Sequence, residues 1–205
     1  MDNANFTERE SLEVITRMLR QTKQNIAGKD NGDFLLFGWA TVIISIAVYF
    51  LTTFTGNGFY GMLYLLLAVI SVYREIRKKS HRPELVTFLD KSIEAIWQVM
   101  GIMFLLSYLI ILGISFFREI TSVTYAVLMP LSLLYAGLGV SITGILIRNS
   151  VLKYSPVVAF IMAIYMFVGF INDWTFLTWW YLLFGAAFLI MMVIPGYVMR
   201  SQDQK

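Results

Sequence analysis

From Phe34 to Met199 the chain is a succession of long apolar runs, several of them near 20 residues, joined by short polar connections. A helix of about 20 apolar residues crosses a hydrocarbon core of about 30 Å. Inside lipid, backbone N–H and C=O groups are satisfied only in helices or closed barrels. The runs lack the two-residue alternation of strands, which leaves an all-α, polytopic transmembrane helical bundle. Charge agrees: 14% of the residues are charged, well below the roughly 25% of soluble domains.

The pattern predicts six spans, at about residues 34–54, 58–73, 92–117, 122–147, 156–171 and 174–199. Three regions follow: a cytoplasmic amphipathic helix and connector over 1–33, a transmembrane domain over 34–199, and a tail over 200–205. The second run is short for a bilayer and is expected to continue as a helix to about Arg77, with a break between Ser80 and Pro83. Pro156, following Ser155, reads as the start of the fifth span, because a first-turn residue needs no N–H donor. Ahead of the spans, Thr7 and Glu10 form a capping-box pattern and Gly28 a stop. Between them Leu12, Ile15, Leu19 and Ile26 make one apolar stripe. Such a helix fits the membrane surface, the ends of the bundle or a partner protein.

Lys and Arg set the sidedness. Five precede the first span, six lie in the loop between spans two and three, two between spans four and five and two in the tail, against Arg118 alone on the other side. Basic residues favour the cytoplasmic side, so both termini are expected inside. The densest patch is Arg74, Arg77, Lys78, Lys79 and Arg82, a candidate contact for anionic lipid headgroups, a partner, or the acidic residues of the N-terminal segment. The chain's pI of about 9.1 is explained by residues flanking spans, so no nucleic-acid partner is expected. Trp174, Trp179 and Trp180 group at the expected outer interface, and Trp39 and Trp97 at the inner one.

Chemistry is sparse. There is no Cys, the single histidine is His81 in the basic loop, and no Asp, Glu, Lys, Arg or His lies mid-span, Glu94 being near an end. Proton relays and carboxylate-coupled transport need such groups, and an ordinary zinc site needs several His or Cys ligands. Phosphate-loop and zinc-protease motifs are missing too. The expectation is therefore a non-enzyme, with no catalytic, cofactor-binding or metal-binding residue assigned.

Neutral polar groups are the remaining candidates. Gln98, Tyr108, Tyr135 and Tyr165, with Trp174 and Trp179 nearer the outer interface, are the candidate lining of a cavity. Pro130 is the candidate hinge, and Pro195 marks a second bend. In span four Ser132, Ala136 and Gly144 share one row and Gly137 and Ser141 the next. Small residues at that spacing let membrane helices approach closely, so span four is expected to be the most enclosed.

Glu10-Ser11-Leu12, Ile15, Met18 and Lys23, followed by Phe34-Leu35-Leu36 and Gly38-Trp39, resemble the start of a group of small, uncharacterised bacterial six-span inner-membrane proteins. The resemblance implies a multi-pass protein of the bacterial inner membrane and supplies no site residues. Size and span number are also similar to those of the substrate-binding subunits of energy-coupling-factor vitamin transporters, but the first span, with Gly38, Thr41 and Ser45 along one side, departs from the small-residue pattern of such subunits. Two functions are carried forward. One is a non-catalytic interaction or regulatory protein working through its cytoplasmic face, with anionic lipid, a second copy or another protein as partner. The other is a carrier or binding subunit for a neutral or aromatic small molecule.

Overall fold

The computed structural model describes residues 32, 34–80, 88–115, 117, 125–172 and 178–203. The expected helix at 7–27, His81, Arg82 and Trp174 lie outside these residues. Every regular element among the described residues is helical. Helix α1 is Phe34–Thr55. A 3₁₀ helix, Gly58–Tyr64, leads into α2, Leu65–Ser80. Then come α3, Phe88–Ser115, α4, Leu128–Leu146, the short α5, Ser150–Tyr154, and α6, Val157–Ile171. The last rod is α7, Trp180–Phe188, a π-helical turn, Leu189–Val193, and α8, Ile194–Asp203.

Five helical stretches are long and apolar enough to cross a membrane: Phe34–Thr55, Lys91–Ile114, Leu128–Leu146, Ser150–Ile171 and Trp180–Ser201. The expected second span is a shorter apolar helix, Gly58–Arg74. Its first seven residues are 3₁₀, a tighter coil that apolar content does not distinguish from α-helix. The fifth span also differs from expectation. Its apolar stretch begins earlier, at Ser150, and within it Pro156 caps the start of α6.

Local chemistry explains the turns. Gly56, with φ +68°, ends the turn after α1, its N–H donating to Thr52 O at 2.9 Å. The Asn57 side chain then accepts from Phe59 N–H at 2.9 Å and starts the 3₁₀ helix. Between α4 and α5 the chain reverses in a few residues. Arg148 takes the left-handed conformation at φ 57°, Asn149 N–H donates to Gly144 O and Arg148 N–H to Ile145 O, the paired bonds of a Schellman stop. Asn149 also caps α5 by accepting from Val151 N–H at 2.9 Å.

Lipid tails are as apolar as leucine, so close packing, not water exclusion, holds such a bundle together. The α1 helix lies antiparallel to the last rod. Gly38 meets Val193 and Met192, and Gly185 meets Ser45, where an added Cβ would lie 2.9 Å from the Ser45 Cβ. The α4 and α5 backbones touch at Gly144, where an added Cβ would lie 2.7 Å from the Leu152 carbonyl carbon. Trp180, Leu133, Leu152, Met166 and Met191 fill the centre and are fully buried.

Enclosure does not peak in span four. Of the apolar window in Trp180–Ser201, 56% is buried, against 44% in Leu128–Leu146 and 6% in Lys91–Ile114. The last rod touches α1, α4 and α6 with its small and bulky faces alike, while α3 packs mainly on α4, its Trp97 also meeting Phe34 of α1 edge-on at 5.9 Å. The 3₁₀ helix joins the core through Leu63 and Tyr64, whereas most of α2 beyond Leu67 is exposed.

Candidate functional site

Two junctions of uncharged polar groups sit inside the bundle, and both are built by residues that break or crowd a helix. The first follows from the prolines. Proline lacks an N–H, so the carbonyl four residues earlier loses its helical donor. Pro156 deprives Leu152 and Pro195 deprives Met191, and all four residues are buried. The Ser155 hydroxyl lies between the two freed carbonyls, 3.1 Å from Met191 O and 3.4 Å from Leu152 O. It carries one proton for two acceptors, and the shorter bond goes to Met191. The π turn just before Pro195 has the same origin: Ile194 N–H reaches back five residues, to Leu189 O. Ser155 thus latches the α5–α6 break to the bend in the last rod. A buried carbonyl without a donor is costly, more so in hydrocarbon.

The second junction lies between α1, the 3₁₀ helix and α7. Thr41, Ser45, Val48 and Thr52 are buried along one face of α1. Ser45 and Tyr64 join their hydroxyls at 2.9 Å. The Tyr64 ring stacks near Tyr181, with centroids 6.3 Å apart, and meets Phe184 edge-on at 5.2 Å. Thr41, Thr53 and Thr55 each donate to the carbonyl four residues back. Thr52 does not, and its buried Oγ1 has no hydrogen-bond partner.

The residues singled out from the sequence fall in several places. Gln98 is exposed on α3 and Tyr108 is half-buried there. The Tyr135 hydroxyl bonds Ser107 at 2.9 Å and so fastens α4 to α3. Tyr165 packs beside Trp179 and Trp180, at centroid distances of 6.0 and 6.3 Å. Trp179 is exposed, while Trp180, expected at the interface, is fully buried and meets Phe170 at 5.3 Å. Pro130 lies in the first turn of α4, which begins at Leu128. There it interrupts less of the helix than a mid-span proline would. In the basic patch Arg77 is exposed and Arg74 half-buried.

Two shallow, almost wholly apolar grooves of about 310 and 400 Å³ run along the 3₁₀ helix and α2, lined by residues such as Phe59, Leu66, Val69, Val72 and Ile76. None of the expected cavity residues that are described, Gln98, Tyr108, Tyr135, Tyr165 and Trp179, lines them. Among the described residues no group of three or more His, Cys, Asp and Glu could hold a metal ion.

Ser155 and Tyr64 were not among the residues expected to matter. The prolines at 156 and 195 point to the freed carbonyls by counting back four, but only the fold brings one serine to both. For Tyr64 the available signal was weaker: Thr41, Ser45 and Thr52 recur at helical spacing.

Five apolar helices around a close-packed centre, in which no charged residue is buried among the described residues, define a multi-pass helical membrane protein. Comparison with family models, curated proteins and solved structures gives no match.

Proposed function

We propose that the chain is a six-span protein of a bacterial inner membrane, with both termini cytoplasmic, that works without catalysis by engaging protein or lipid partners. Its recognition surfaces are the cytoplasmic N-terminal segment and basic loop, together with lateral helix faces. The observation that carries this reading is the exposure of α3: only 6% of the window in Lys91–Ile114 is buried. A span held along one side keeps the rest of its surface for lipid or another helix.

The sixth span is supported by length. A 3₁₀ helix rises about 2.0 Å per residue and an α-helix about 1.5 Å, so Gly58–Arg74 reaches about 29 Å. That nearly equals a hydrocarbon core. Charge supports it as well, since without this crossing the basic residues divide between the two sides and the bias disappears. Deleting residues 1–30 is expected to change the co-purifying partners or the oligomeric state of the chain purified from membranes. Unchanged partners, oligomeric state and stability would remove the N-terminal segment from the account.

A second reading, a carrier or binding subunit for a neutral or aromatic small molecule, is favoured by Thr52. Its buried, unpartnered hydroxyl is a donor that a carbonyl-bearing ligand could use. Thr52→Val separates the two readings. If Thr52 serves only packing, the variant is as stable as the parent or gains up to about 1 kcal/mol by losing an unpaired polar group. Loss of thermal stabilisation by a neutral aromatic library, with the fold intact, would favour the carrier.

A further inference from the structure

Gln98 lies about 7 Å from the middle of Lys91–Ile114 at 1.5 Å per residue, well inside a hydrocarbon core about 30 Å thick. It is exposed, and no hydrogen bond joins it to another described residue. Its amide offers two donors and a carbonyl acceptor, and leaving them against lipid tails is strongly unfavourable. The opposite side of α3 is already occupied. Ile93 is buried, Trp97 and Met100 pack at Gly139, and Ser107 bonds Tyr135.

We infer that the Gln98 face of α3 is the contact between two copies of this chain. The inference rests on the reading of the chain as an interaction protein and names the partner. A primary amide is complementary to itself, so two copies about a two-fold axis along the membrane normal exchange N–H···O bonds reciprocally. Gly101 shares the face, and nothing lies within 4 Å of where its Cβ would be, so two α3 helices can approach closely there. Lys91 and Glu94, also exposed on this face, carry opposite charges, and the same axis pairs each with the other's counterpart. Leu105 and Leu109 continue the contact toward the other leaflet.

The chain has no Cys, so single cysteines report directly. In native membranes Leu105→Cys and Gly101→Cys are expected to form disulfide-linked dimers on mild oxidation, while Met100→Cys, on the α4 side, does not. In lipid bilayers Gln98→Leu should weaken self-association about tenfold, measured by fluorescence transfer on dilution, and Gln98→Asn should retain more of it. Three results would overturn the proposal: a monomer at all dilutions, dimers that ignore Gln98→Leu, or a Leu105→Cys that couples to a Tyr73→Cys in the same chain. In each case the interaction reading stands or falls separately, on the partners lost when residues 1–30 are deleted.

Discussion

Ser155 answers two prolines with one hydroxyl, and its removal has a calculable consequence. Ser155→Ala removes the donor that serves the Met191 carbonyl, and the expected cost is about 1–2 kcal/mol, read as a lower unfolding midpoint in mixed micelles. Pro195→Ala restores an N–H for Met191, so the same serine loss should cost less in that background. A double-mutant cycle measures the difference; strict additivity would mean that the 3.1 Å bond to Met191 O contributes little. At this scale the sequence is half legible. The prolines are visible and their i−4 carbonyls follow by rule, but the serine's second acceptor lies 36 residues away. The same holds for Tyr64, whose partner Ser45 is 19 residues off. Gln98 was legible as the most polar residue well inside a span, yet periodicity did not say which of the helix's sides faces α4.

Among the elements, existence was easy to read and boundaries were not. Five runs became helices of membrane-crossing length, two of them carried past an internal proline, at Pro156 and Pro195. The second became a 3₁₀ helix followed by α-helix, a distinction made by the Asn57 cap and by the seating of Tyr64 on Ser45, neither of which leaves a mark in hydropathy. Small residues predicted close contacts correctly at Gly137 and Gly144, but not that the last rod would be the most buried. Gly144 is the sharpest test of backbone packing. Its neighbours are the Leu152 and Lys153 backbones, which cannot rotate away. Gly144→Ala should therefore separate α4 from α5 and destabilise the protein by about 1–3 kcal/mol. A neutral result in thermal unfolding would mean that the two helices are not apposed at this point.

For the molecule as a whole, charge is the organising quantity. Among the described residues no charged side chain is buried, so charge gathers at the helix ends. The proposed cytoplasmic surface depends on the basic loop lying on the same side as both termini, and that in turn depends on 58–80 crossing the bilayer. Sequence asymmetry of Lys and Arg speaks for it, and the rise of the 3₁₀ segment supplies the length. Single-cysteine labelling in intact cells tests this most directly. The account predicts that Gly56→Cys reacts with a membrane-impermeant maleimide from outside, whereas Ser80→Cys reacts only after the membrane is opened. Labelling of both from the same side would contradict it.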